Sequence, residues 1–424
     1  MCSRVYRRIS FGNINRVSMG KIKIGVLREG KVPPDKRVPL TPKQCKTIQA
    51  IYPNVEVVVQ PSPIRAYSDQ AYLDEGIEMN EDITDCDIII GVKEVNIEDL
   101  IPNKKFLFFS HTYKKQPYNR DLLNAILERN IQLIDYEVLK AKNGKRIIGF
   151  GRYAGIVGCY NGFLTYGLKH NLYSLKAANA CADRVEVEEE LKKVVLPSDT
   201  KIVLTGYGRV GHGAREILDL LPIKEVTPSE FLNNQFDQAV YTHLEVEDYY
   251  GRKDGGDFVK NDFYKNAGDF KSTFSRYLKQ ANMYIPCHYW SDSADFIFTR
   301  EDLKEKDIKL SVVADISCDI DGPVACTLRP SKIADPIYGY NPITESEDDF
   351  NKEGVIAVMA VDNLPCELPL DASQDFGSEL MKEVFPSLFG EDKDLIIERG
   401  SQTTLGGELS SHFAYLDKYI LGEE

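Results

Sequence analysis

The stretch that most constrains this chain runs from Lys201 to Leu218: KIVLT, then GYGRVG, then HGAREIL. The apolar, β-branched run reads as a buried strand, and Ala214-Arg215-Glu216-Ile217-Leu218 has the spacing of a helix. Between them Gly206, Gly208 and Gly211 stand at the offsets of a strand–loop–helix fingerprint. Gly206 allows the tight turn, Gly208 lets the backbone approach a ligand, and Gly211 lets the helix pack close to the strand. The helix that follows, beyond a loop that also carries Arg209 and Val210 as candidate cofactor contacts, offers unpaired N–H groups and a partial positive charge that suit a pyrophosphate. The pattern predicts a Rossmann-like dinucleotide-binding half. In NAD proteins an acid about 20 residues further on holds the ribose hydroxyls. Glu225 stands near that place and favours NAD over NADP, although a solvated strand-end charge accounts for it equally well.

The rest of the chain repeats the alternation. Lys21–Leu27, Val55–Val59, Cys86–Val92, Phe106–Phe109 and Gln132–Tyr136 read as strands, with helices at Ser68–Glu75 and Asn119–Glu128. Thr41-Pro42-Lys43-Gln44 is a helix start, with a capping Thr, a first-turn Pro and a Gln three residues on. From Gly155 to Leu172 a connecting helix is expected. Later strands fall at Leu310–Ala314 and Val355–Val361, and a helix at Ser373–Val384. The polar, aromatic span 231–282 reads as an irregular insertion with short helices. Alternating strands and helices mean parallel sheets covered on both faces. The fold class is α/β, with two Rossmann-like domains, the first discontinuous and completed by the C-terminal segment. The expected domains are 21–165 with 365–424, which would hold the substrate, and 166–364, which would hold the dinucleotide.

At 424 residues and 43% hydrophobic, the chain can fill two cores. A net charge of −13 argues against nucleic acid or an anionic membrane as the main partner. Nine cysteines show neither zinc-site spacing nor a Cys-x-x-Cys, so no metal is expected and reduced thiols in the cytoplasm are. No run approaches the ~20 apolar residues of a membrane span. The first twenty residues carry four arginines and no acid. They have the composition of a transit leader, but an upstream start before Met19 is the preferred reading, and they are kept out of the fold. The expected partner is a small amino-acid substrate, and the class allows a homo-oligomer.

Several polar residues follow apolar strands of the first domain, where open α/β sheets bind ligands. Arg28 follows KIGVL, Lys93 and Glu94 follow IIIGV, His111 and Lys114 follow FLFFS, Glu137 follows LIDY, and Arg146 precedes IIGFG. Singly, each is more often a solvated charge or a structural histidine. Together they make a cationic crevice equipped for proton transfer. Oxidising a carbon–nitrogen bond needs a base for the amine proton, and arginine fits substrate carboxylates by a two-pronged hydrogen bond.

The strings REG…RVPLTP, GVKEV, FSHTYKKQP, FGRYAG, TGYGRVGHGA, ADISCDIDGP and VDNLPCELP resemble lysine-forming saccharopine dehydrogenase. They resemble equally the lysine–ketoglutarate reductase domain of the bifunctional lysine-degrading enzyme. The likeness runs from Lys21 to the C-terminus, within a superfamily that includes alanine dehydrogenase and the nucleotide-binding part of transhydrogenase. It implies Lys93 and His111 as the acid/base pair, and Arg28, Lys114 and Arg146 as carboxylate-binding cations. It further implies Glu137 as a partner for the lysine-side amine, Glu94 as a group tuning Lys93, and Asp315 as the acid near the nicotinamide. LPIKEVTPSEF resembles the reductase-domain version, which keeps both NAD and NADP open. The expected activity is reversible oxidation of saccharopine to lysine and 2-oxoglutarate. The rivals are an alanine dehydrogenase-like enzyme, with fewer cations to place, and a non-catalytic transhydrogenase-like subunit.

Overall fold

Short runs of isoleucine, valine and phenylalanine build the first sheet. Its strands are β1 (Ile22–Val26), β2 (Val55–Val59), β3 (Glu78–Met79), β4 (Ile88–Ile90), β5 (Lys105–Phe108) and β6 (Gln132–Asp135). They pair in the order β3-β2-β1-β4-β5-β6, all parallel. The interior strands carry mostly apolar, buried runs, as expected of a parallel sheet, with single charges at Lys23, Glu56 and Lys105. Helix α1 (Pro42–Ile51) starts as expected: Gln44 N donates to the Thr41 hydroxyl, and Thr41 N donates back to the Gln44 side chain. Helices α2 (Asp69–Asp74) and α3 (Arg120–Glu128) complete the early part. The computed structural model describes residues 20–423, so the Arg-rich leader lies outside the described residues.

The chain forms two units, residues up to 147 with 380 onward, and 148–379. In the first, the C-terminal segment returns to the sheet edge. Ser401 bridges Ile134 in antiparallel fashion, and Gln402 N donates to Leu133 O at 2.8 Å, so the exposed edge of β6 is covered. Phe413, Leu416 and Tyr419 then pack on Leu123 of α3.

The second unit opens with helices α4 (Gly151–Lys169) and α5 (Arg184–Leu191). The expected boundary at 165 falls inside α4, whereas the unit begins before it. The reason is glycine packing. A side chain at Gly155 would overlap the Val210 carbonyl, and one at Gly162 would stand 2.8 Å from Ala314. The helix therefore lies flush on this unit's glycine loop and sheet. The strands that follow are β7 (Lys201–Thr205), β8 (Lys224–Glu225), β9 (Val240–Leu244), β10 (Tyr250–Arg252), β11 (Phe270–Ser272) and β12 (Met283–Pro286). After them come β13 (Val312–Ala314), β14 (Ile337–Asn341), β15 (Ser346–Asp348) and β16 (Ile356–Met359). Eight form one sheet in the order β15-β14-β16-β13-β12-β7-β9-β8, parallel from β16 to β8.

That order corrects the reading of 231–282 as an insertion. Val240–Leu244 is a fully buried strand paired along its length with β7. Only the small antiparallel pair β10–β11 and the aromatic cluster around Phe263 and Phe270 are additions to the sheet. No described helix is long and apolar enough to cross a membrane.

Candidate active site

In the first sheet the strand order reverses beside β1, so the loops after β1 and β4 flank the place where ligands bind such sheets. Glu29, just past β1, ties the two loops together by accepting the backbone N–H groups of Val92 (2.6 Å) and Lys93 (2.9 Å). Burial pushes its carboxyl up to about 7 despite those donors. The backbone of Lys93 is thereby fixed at the switch point. Burial, reinforced by the Arg37 charge, lowers the proton affinity of its side chain against the opposing pull of Asp35 and Glu94. Arg37 and Asp35 form a buried ion pair at 2.6 Å. Burial alone would raise the Asp35 carboxyl, but Arg37 outweighs it and holds the group at about 2.

His111 lies between two carboxylates. Its Nδ1 is 2.6 Å from Glu94 Oε1, and its Nε2 is 3.6 Å from Glu137 Oε2. Glu94 also receives Lys31 Nζ at 2.6 Å. Desolvation would raise the Glu94 carboxyl, yet the hydrogen bonds from His111 and Lys31 bring it down to about 2. An ionised carboxylate only accepts, so Nδ1 carries the hydrogen of that bond. The exchangeable proton is then the one at Nε2. Glu137 gathers the remaining cations, with Lys114 Nζ at 3.0 Å and Arg146 at 3.5 Å from Oε1. Burial opposes its ionisation, but Lys114, Arg146 and His111 prevail and its proton affinity falls. Glu137 Oε2 is buried with no hydrogen-bond partner among the described residues. The Arg146 guanidinium also lies 5.5 Å from the Phe109 ring centre.

The structure thus gathers Lys93, Glu94, His111, Lys114, Glu137 and Arg146 in one cluster. It does not bring Arg28 there: that side chain turns outward to an ion pair with Glu81. The sequence reading noted Glu29 after KIGVL but missed Lys31, Asp35 and Arg37. Their only signal is the density of charge in REGKVPPDKR, a loop where solvated charges are the default expectation.

In the second unit Gly208 caps α6 (Arg209–Leu218) in extended backbone, φ −83°, and a side chain built on it would meet nothing within 4 Å. Gly206 has φ +96°, and a side chain at Gly211 would overlap the Gly206 carbonyl. Open space at the helix N-terminus with two obligate glycines beside it fits a dinucleotide pyrophosphate. Tyr207 stacks on His243 of β9 at 3.7 Å, and His243 Nε2 lies 2.8 Å from Gly206 O, which braces the loop. Arg209 pairs with Glu379 at 2.9 Å, and Val210 packs on the unit's core.

Two expectations change. Glu225 ends β8, which lies at the sheet edge and not beside β7, and Arg215 engages its carboxylate. The strand beside β7 is β9, and the acid directly after it is Glu245. Glu245 pairs with Lys260 at 2.6 Å. Asp315 is fully buried and its oxygens are taken up by Ser317, Cys318 N and the Thr327 hydroxyl. It shapes the turn after β13 and has no exposed oxygen to present.

Two α/β units, one opening on a polar cluster and the other on a glycine loop, share the fold of L-alanine dehydrogenase. L-alanine dehydrogenase superposes with a TM-score of 0.63 over 95% of this chain and 100% of that one, at 16% identity. Residues 25–157 match the family described as alanine dehydrogenase/PNT, N-terminal domain. More particularly, the chain is similar in sequence to saccharopine dehydrogenases and alpha-aminoadipic semialdehyde synthases. The alpha-aminoadipic semialdehyde synthase of Arabidopsis thaliana is 32% identical over 88% of this chain and 39% of its own length. The mitochondrial one of Mus musculus is 29% identical over 91% of this chain and 46% of its own. This chain therefore spans less than half of those two relatives. The lysine-forming, NAD(+) saccharopine dehydrogenase of Yarrowia lipolytica is 25% identical over 84% of this chain and 89% of its own.

Proposed function

We propose that the chain is a lysine-forming saccharopine dehydrogenase. Saccharopine, NAD(P)⁺ and water would give lysine, 2-oxoglutarate, NAD(P)H and a proton, reversibly. The observation that carries the reading is the imidazole of His111 held between Glu94 and Glu137, with Lys93 on the neighbouring loop and Lys114 and Arg146 at the rim. The dinucleotide, when bound, supplies or accepts the hydride. The residues of the first unit do the rest. His111 Nε2 takes the secondary-amine proton while Nδ1 keeps its bond to Glu94. Lys93, its proton affinity lowered by burial and Arg37, exchanges a proton with the water that attacks the imine carbon. Lys114 and Arg146 move from Glu137 to substrate carboxylates, and the freed Glu137 receives the lysine-side ammonium. Glu137 Oε2, buried with no hydrogen bond among the described residues, supports that last role.

The glycine loop would hold the pyrophosphate, and in this reading NAD is preferred. Both acids at the strand ends, Glu225 and Glu245, disfavour a 2′-phosphate, and the nearby cation Arg215 is already engaged. The reading places the protein in the cytoplasm. A C-terminally tagged copy coinciding with a mitochondrial marker would overturn that part.

The activity is tested by following nicotinamide absorbance with lysine plus 2-oxoglutarate, and with pyruvate plus ammonia, each with NADH and NADPH. Turnover should need lysine and 2-oxoglutarate together, and ammonia should not replace lysine. Turnover of pyruvate and ammonia alone would leave an alanine dehydrogenase-like enzyme.

A further inference from the structure

The loop carrying His111 has an unusual backbone. His111 itself has φ +55° and Lys115 φ +57°, in the left-handed region that side-chain-bearing residues rarely adopt. Such a conformation lasts only where the surroundings enforce it. The residues on either side of His111 show how. Ser110 N and the Ser110 hydroxyl both donate to Asp135 Oδ2, and the Thr112 hydroxyl donates to Gln402 Oε1 at 2.7 Å. Gln402 Nε2 in turn donates to Asp135 Oδ2 (2.9 Å) and to the Ser110 hydroxyl (3.2 Å). The other Asp135 oxygen accepts Glu137 N at 2.7 Å. One buried amide and one buried carboxylate therefore anchor the two neighbours of His111 and the backbone of Glu137. Ser110, Thr112, Asp135 and Gln402 are all fully buried.

Gln402 comes from the C-terminal segment, 290 residues from Thr112. Its own place is set by the sheet edge. Its N–H bonds Leu133 O, while the next residue, Thr403, accepts Leu133 N (2.9 Å) and donates to Ile131 O (2.6 Å) through its hydroxyl. Among the described residues no hydrogen bond joins Gln402 to the side chains of His111, Glu94 or Lys93.

We propose that Gln402 is a positioning residue: it locks the 110–115 loop so that His111 stays between Glu94 and Glu137. The inference rests on the proposed acid/base role of His111. A displacement of about 1 Å in a reacting group can lower turnover ~10²-fold, which sets the scale of the effect.

The test pairs Gln402→Met, which keeps the length and loses every side-chain hydrogen bond, with Thr403→Val on the same buried segment. Hydrogen–deuterium exchange of the peptide spanning 110–116 should quicken in Gln402→Met and not in Thr403→Val. With lysine and 2-oxoglutarate, Gln402→Met should lose about 10–100-fold in kcat, change its pH–rate profile, and keep the KM for the dinucleotide. Thr403→Val should lose a similar melting temperature with kcat within about 2-fold of wild type. If Gln402→Met fails to fold, Thr112→Val removes one of the same bonds from the loop side and should show the same signature, smaller. Equal loss of kcat in the Gln402 and Thr403 variants, or an unchanged 110–116 exchange rate, overturns the proposal. A wild type inactive on lysine and 2-oxoglutarate defeats the proposed function instead, and the exchange experiment still decides what Gln402 does.

Discussion

The glycine loop makes two neighbouring positions respond in opposite ways. At Gly208 the backbone is extended and open to solvent on the side-chain side, so Gly208→Val is tolerated by the fold. A valine at a helix cap in place of glycine costs about 1 kcal/mol. The same side chain fills the space that a pyrophosphate would need. The N–H groups of Arg209 and Val210 then lose an anionic acceptor, and charge-assisted bonds of this kind contribute about 1.5–3 kcal/mol each. Two of them give about 3–6 kcal/mol, a loss of at least ~10²-fold in dinucleotide affinity. At Gly211 the position is reversed. Even a methyl would overlap the Gly206 carbonyl, so Gly211→Ala forces α6 away from the strand. Overpacking of this sort costs about 1–3 kcal/mol or more, roughly 2–12 °C in melting temperature for a unit of this size.

The assay is a fluorescence titration with NADH and NADPH, beside a thermal melt of each variant. Gly208→Val should melt within a few degrees of wild type and bind neither nucleotide at concentrations that saturate the wild type. Gly211→Ala should melt distinctly lower. If folded Gly208→Val binds within about threefold of wild type, where the geometry requires at least ~10², the loop is only a turn and the reasoning fails. A wild-type melt for Gly211→Ala would refute the packing argument separately.

Three further outcomes follow from the sites. Lys93→Met and His111→Gln should each lower kcat by about 10²–10⁴, with dinucleotide affinity kept and a double variant less than multiplicative; full activity in folded Lys93→Met would sink the acid/base reading. Glu245→Ala should narrow the preference for NADH over NADPH more than Glu225→Ala does, because β9 and not β8 adjoins β7; the reverse order would restore Glu225. The Asp35 carboxyl, at about 2 when folded against 3.8 when exposed, is favoured charged in the native protein, so its contribution is full above about pH 4 and lost as pH falls toward 2. That contribution is about 2 kcal/mol, and acid titration of Asp35→Asn should show a shallower fall in stability between pH 4 and 2 than wild type.

What a sequence can carry about this protein depends on how local the physics is. The strands β1, β2 and β7 and the capped start of α1 are set by side chains within a few residues of one another, and they stand where the pattern puts them. The nearness of Lys93, His111 and Glu137 was legible for a related reason: each follows a strand of one parallel sheet, so all three reach its same edge. Strand order is another matter. A two-residue strand ending in Glu225 occupies the expected interval after the glycine loop, yet hydrogen bonding gives the place beside β7 to Val240–Leu244. Nothing in the local pattern chooses between them, since VYTHL, with Thr and His inside it, lacks the continuous apolar run by which buried strands are recognised. Its His243 is buried there because Gly206 O and the Tyr207 ring satisfy it, partners that lie more than thirty residues away. Asp315 fails in the opposite sense: a carboxylate after an apolar strand looks available, but three short-range donors and Thr327 enclose it. Gln402 had no signal at all, because an amide's worth lies wholly in the groups brought to it. The candidate site is thus read in two layers. Side chains that follow strands announce themselves, and those that hold them in place become visible only once the C-terminal segment is laid against β6.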